Sequence, residues 1–164
     1  MLAGSVSSCG LAQGGAVCWG AGSPALLLID GTAGMTSVDV GQLHACGLLT
    51  GGRAVCWGGN KLGQLGNGSN SGSTSAVPVD GGLSFSAITV GDSHSCGLTG
   101  GKAFCWGKNT SGQLGDGSTS DRKRPVAVKG GLSFTAISAM NWSPMSMNAW
   151  SASLPRSVKL KIRP

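Results

Sequence analysis

The stretch GQLGNGS at Gly63–Ser69 returns as GQLGDGS at Gly112–Ser118, 49 residues later. GGLSFSAI from Gly81 to Ile88 returns as GGLSFTAI from Gly130 to Ile137 at the same spacing. A third motif, CGL followed by a glycine turn and then CW, occurs at Cys9–Trp19, Cys46–Trp57 and Cys96–Trp106. A chain that repeats itself at this period is constrained to a stack of similar units, each too small to bury its own apolar face and each covered by its neighbours. The spacing divides the sequence into a degenerate first unit (residues 1–38), two complete units (39–88 and 89–137) and a remainder (138–164). The first unit is short because it lacks the GQLG segment between Trp19 and Pro24. In the last unit a GxxHxC stretch is due near Met140, where the sequence reads MNWSPMSM instead. The expectation for 138–164 is a disordered, non-repeat tail, as in a truncated or frameshifted reading frame.

Composition favours short strands. There are 30 glycines, only 11% charged residues, and neither Tyr nor Glu. Glycine at that density demands many turns. No segment carries apolar residues at helical spacing, and the longest aliphatic cluster, Leu26–Ile29, falls far short of the roughly 20 residues needed to span a membrane. The N-terminal MLAGSVSSCGL has neither the basic residue nor the apolar run of an export signal.

The net charge of +6 invites a nucleic-acid reading that its distribution does not support. Arg156, Lys159, Lys161 and Arg163 lie in the last nine positions, and residues 1–155 carry eight basic against six acidic side chains, or +2. A phosphate binder needs a basic face on its folded body. Nucleic acid is therefore not expected as a partner.

Several motifs in one order, VGQLHACGL at Val40–Leu48, VGDSHSCGL at Val90–Leu98, CWGKNTSGQLGDGSTSDRKRPVAV at Cys105–Val128 and the GGLSF lead-ins, closely resemble the regulator of chromosome condensation repeat family over residues 3–140. The resemblance implies a β-propeller, in that family usually of seven four-stranded blades. With its paired cysteines, the chain looks most like extracellular or bacterial surface members. The expected fold is all-β: a partial propeller of about three four-stranded blades, whose ring this chain alone does not close.

Within a unit, a two-residue turn at Gly100-Gly101 places Thr99 opposite Lys102, Leu98 opposite Ala103, Gly97 opposite Phe104 and Cys96 opposite Cys105; primed turns need positive φ, which Gly-Gly supplies. Directly opposed residues are within disulfide reach. The first unit keeps the two-residue spacing around Gln13-Gly14, and the second, with one residue more, fits a three-residue loop at Thr50-Gly51-Gly52. The pairs would be Cys9 with Cys18, Cys46 with Cys56 and Cys96 with Cys105, in an oxidising compartment. Two other readings stay open: reduced cysteines packed as small apolar groups, and a zinc site from His94, Cys96 and Cys105. The second lacks a short C-x₂-C element, and Ser7 stands where His44 and His94 occur.

The remaining landmarks read as repeat structure. Trp57 and Trp106, like Trp19, follow a cysteine by one and so point to the other face of the strand, where a neighbouring blade would cover them. Phe85 and Phe134 are expected in the core. Asn60, Asn109 and the two GQLG segments, with Gly63, Gly66, Gly112 and Gly115 around Leu65 and Leu114, read as connecting loops. The Gly66–Gly72 stretch has no lysine for a phosphate loop. His44 and His94 occupy one repeated position, which favours a structural hydrogen bond, and Asp92-Ser93-His94 are consecutive, which cannot form a nucleophilic triad. Asn67, Asn109 and Asn141 begin N-x-[ST] sequons that have meaning in a eukaryotic secretory setting.

These readings predict a non-catalytic interaction module without cofactor or metal, extracellular or extracytoplasmic, with a protein or glycan partner of unknown identity and scope for further repeats or self-association. The family resemblance also offers guanine-nucleotide exchange on a small GTPase, whose residues map to no position here. A third reading is a remnant of a longer propeller protein.

Overall fold

The computed structural model describes residues 7–20 and 23–139. The expected disordered tail and the Asn141 sequon lie almost wholly or wholly outside them. The described residues contain eleven strands: β1 Ser7–Ala12, β2 Gly15–Gly20, β3 Ser23–Leu28, β4 Met35–Val40, β5 His44–Leu49, β6 Ala54–Gly58, β7 Ser73–Pro78, β8 Ala87–Val90, β9 His94–Thr99, β10 Lys102–Gly107 and β11 Arg122–Ala127. They form three antiparallel sheets, β1-β2-β3, β4-β5-β6-β7 and β8-β9-β10-β11, stacked as three blades of a propeller whose ring is open. The first sheet has three strands where four were expected, because nothing among the described residues occupies the place of β4 and β8 beside β1. The blades are also phased differently from the repeat units, since β4 and β8 each straddle a unit boundary.

The hairpins follow from their turns. Gly100 and Gly101 take φ of 54° and 75°, and the register beyond them pairs Thr99 with Lys102 and Cys96 with Cys105. In the second blade Leu49 N–H bonds to Arg53 O (2.9 Å) across Thr50-Gly51-Gly52, so the extra residue is absorbed by the loop and Cys46 still faces Cys56. In the first blade Cys9 faces Cys18. All three pairs are closed as disulfides and no cysteine is free. Reduced packing and the zinc reading both fall here: a sulfur bonded to sulfur is no thiolate ligand.

Alternation along each strand gives a blade two different faces. One carries the disulfide, the other the tryptophan, and the core lies where the disulfide face of one blade meets the tryptophan face of the next. Trp57 of the second blade packs with Ala16, Cys18 and Ile29 of the first. Trp106 of the third packs with Cys46, Leu48, Cys56 and Leu65 of the second, together with Phe85, whose ring centroid is 5.9 Å away. Both indoles are buried, whereas Trp19 is 41% exposed. Phe134, expected in the core, is only half-buried: Phe85 lies against Gly97 of the following blade, and Phe134 has no such blade among the described residues.

Candidate binding rim and blade contacts

The loop from β6 to β7 and its equivalent from β10 to β11 leave the same end of their sheets and form a rim. Each is organised around one buried asparagine. Asn60 Nδ2 donates to Ser69 O (3.1 Å), Ser71 O (3.0 Å) and Asn67 Oδ1 (3.2 Å), while its Oδ1 accepts from Leu65 N–H (2.9 Å). Asn109 repeats this with Ser118 O (3.0 Å), Ser120 O (3.0 Å), Asp116 Oδ1 (3.1 Å) and Leu114 N–H (3.0 Å). The loop backbone thus finds its partners without a ladder, and Leu65 and Leu114 are pulled fully inside. This corrects the sequon reading at Asn109, whose amide is buried and committed within the loop. Asn67 spends its Oδ1 on Ser69 and Asn60.

Asp116 replaces Asn67 in the second loop, and the charge has a partner. Hydrogen bonds from Ser118 hold its carboxyl well below the usual carboxylate range; burial opposes them, and Arg122 and Asn109 add to them. Arg122 Nη2 lies 2.7 Å from Asp116 Oδ2, and Arg124 Nε lies 2.8 Å from Asp80 Oδ2. Two of the three cations in Arg122-Lys123-Arg124 are therefore paired with acids. Side chains left exposed on the rim include Lys61, Asn70, Thr110, Thr119 and Lys123.

The contact between the second and third blades carries polar links within the apolar packing. Trp106 Nε1–H donates to Gln64 O (2.9 Å), and Ser95 Oγ donates to the same carbonyl (3.1 Å). With the serine proton committed there, His44 donates from Nε2–H to Ser95 Oγ (2.7 Å) and its Nδ1 is left without a partner. Burial, with a smaller contribution from His94, pushes the His44 pKa down to about 3, so the imidazole is neutral. His94 is half-buried; burial lowers its pKa and Asp92 opposes the shift. Gly66 (φ 68°) lies so close to this indole that an added Cβ would stand 2.7 Å from Trp106 Nε1. Gly63 is pressed against Arg122 O of the next blade, whereas a Cβ at Gly115 would first meet Val128 of its own blade and one at Gly112 would meet Ser118 O of its own loop. Asp39 adds a bridge between β4 and β8, accepting from Val90 N–H (2.7 Å).

Sequence reasoning picked out the cysteines, tryptophans and histidines but missed Gln64, Ser95, Asp39, Asp116 and Thr32. Thr32 caps the first hairpin, accepting from Ala16 N–H (2.9 Å) and donating to Ile29 O (2.6 Å). The signal for Gln64 was present, since GQLG repeats intact, but its role uses a backbone carbonyl. Among the described residues no cluster of three His, Cys, Asp or Glu side chains could hold a metal ion, and no helix is long and apolar enough to cross a membrane.

Family models described as regulator of chromosome condensation (RCC1) repeat match residues 100–140 and, for a second model, 35–64 and 85–113. No curated protein matches the sequence. Among solved structures, human WBSCR16 is similar with a TM-score of 0.71 at 24% identity, covering 82% of this chain and 40% of that one. Prp20p from Saccharomyces cerevisiae, a protein with binding properties toward Gsp1p and histones, gives 0.66 at 17%, covering 78% and 37%. The ectodomain of the Physcomitrella patens receptor kinase CR4 gives 0.54 at 30%, covering 84% and 34%. This chain spans two fifths or less of each of them. Repeat motifs and stacked antiparallel sheets agree with these matches, and the chain belongs to the regulator of chromosome condensation (RCC1) repeat family.

Proposed function

We propose that the chain is a non-catalytic interaction module that works outside the reducing cytoplasm and engages a protein or glycan through its loop rim. The observation that carries this reading is the use of all six cysteines in three cross-strand disulfides. Such bonds persist in oxidising compartments. The 30% identity to a receptor-kinase ectodomain supports the same placement. The rim supports binding because its loops are held by Asn60 and Asn109 before any partner arrives, which lowers the ordering cost of association. Likeness to Prp20p at 17% identity carries the fold and no exchange activity.

The test is to screen the purified, non-reduced chain against glycan and cell-surface-protein arrays. A partner bound at the rim should lose affinity by about tenfold or more when Lys61 and Lys123 are replaced by alanine, a loss of roughly 1.4 kcal/mol. Lys102→Ala, at the opposite end of β10, should leave binding unchanged. Binding indifferent to the rim changes but lost with Lys102→Ala would overturn the assignment.

A further inference from the structure

Among the described residues the stack leaves two faces without a blade against them, and the two faces match each other. At one end, β1 is an edge strand, although its equivalents β5 and β9 are flanked on that side by β4 and β8. At the other end, residues 136–139 occupy the place of such a flanking strand yet belong to no sheet. They are held at both ends by the bonds that hold β8. Phe134 N–H donates to Gly101 O (2.8 Å) as Phe85 N–H does to Gly52 O (2.7 Å), and Ala139 N–H donates to Thr89 Oγ1 (3.1 Å) as Val90 N–H does to Asp39 Oδ2 (2.7 Å). Ile137 packs toward Leu114 as Ile88 does toward Leu65.

The side chains match as well. Ser8 and Trp19 are opposite each other on the exposed face of the first blade, as Ser95 and Trp106 are on the buried face of the third. Leu26 (71% exposed) and Leu28 (51%) lie on the Trp19 side by alternation along β3. The far end of the stack presents His94 and Gln113, the equivalents of His44 and Gln64. Gln64 is buried and Gln113 is not, and the His94 ring has no hydrogen-bond partner among the described residues. Between the second and third blades these residues bond as His44 to Ser95 and Trp106 to Gln64. The contact between the first and second blades cannot be the template, since Ala45 stands in place of the serine and the first unit has no GQLG.

We propose that copies of this chain join head to tail. Residues 136–139 of one copy pair with β1 of the next as its missing fourth strand, Trp19 donates to Gln113 O, and His94 meets Ser8. The register of β8 on β9 transfers as Ala136 opposite Leu11, Ile137 opposite Gly10, Ser138 opposite Cys9 and Ala139 opposite Ser8. Two copies supply six blades, inside the range of about four to eight found in propellers, so the contact closes as a two-copy ring.

Native mass spectrometry and sedimentation of the 164-residue chain at micromolar concentration should show one species at twice the 16.2 kDa monomer mass. Trp19→Ala spoils only the head. Ser138→Pro spoils only the tail: Ala139 N–H points to Thr89, so the neighbouring Ser138 N–H points to the missing strand, and Ser138 is exposed. Each variant alone should be monomeric with an unchanged circular dichroism spectrum, and an equal mixture should recover a dimer through the one intact contact; Leu26→Asp should behave as Trp19→Ala does. A monomeric wild type, a mixture of folded variants that stays monomeric, or an open-ended ladder of masses would each overturn the proposal.

Discussion

Trp106 and Trp19 hold the same place in two blades and differ only in what lies against them. Trp106→Ala should cost about 3–5 kcal/mol, because it empties the second blade contact and orphans part of Gln64 O. Trp19→Ala should cost the monomer less than about 1 kcal/mol. Denaturant midpoints of the two variants, measured at low protein concentration, check the difference. Asn109→Ala should cost at least about 2 kcal/mol, since it strands Leu114 N–H and two loop carbonyls together, and faster proteolysis at residues 110–120 would accompany it. His44 makes stability depend on pH with a defined sign. Its folded pKa is depressed, so below about pH 6.5 the unfolded chain binds a proton that the folded chain refuses, and stability falls by about 1 kcal/mol per pH unit down to about pH 3. His94 shifts the same way, so His44→Gln should reduce the slope between pH 4 and 6 without abolishing it. At this scale the sequence disclosed the cysteine pairs, because hairpin spacing fixes what lies opposite what. It hid Ser95 and Gln64, because their partners lie 31 to 51 residues away on another blade and part of the bonding is to backbone.

Hairpins are where local chemistry decides structure, and they were legible for that reason. Positive φ at Gly100 and Gly101, and the extra loop residue in the second blade, follow from turn residues alone. Each disulfide closes a loop of nine or ten residues, so its removal should cost about 2–3 kcal/mol by loop entropy. Replacing Cys96 and Cys105 together by alanine, and reading the thermal midpoint against the oxidised parent, tests that figure; no shift would mean that packing rather than the bond holds the hairpin. The inner strands were not legible in the same way. Ala87–Val90 is only four residues long, too short for alternation to mark it as a strand, although Gly91-Asp92-Ser93 supplies a turn into β9. It pairs with β9 over four residues and is tied to the preceding blade by Asp39, and it crosses the boundary between two repeat units.

At the scale of the molecule, periodicity alone was enough to give a stack of blades, since a unit of about 50 residues cannot bury its own faces. Periodicity does not say what covers the last face of an open stack. That depended on seeing Trp19 exposed, Gln113 uncovered and residues 136–139 outside any sheet. The compartment and the interaction reading both depend on the same three bonds. The most direct test is the intact mass of the non-reduced protein, recovered from its native compartment and treated with an alkylating agent under denaturing conditions. Three cross-strand disulfides predict no added alkyl groups and six after reduction. Six added groups before reduction would contradict the account, returning the cysteines to buried thiols and the module to a reducing compartment.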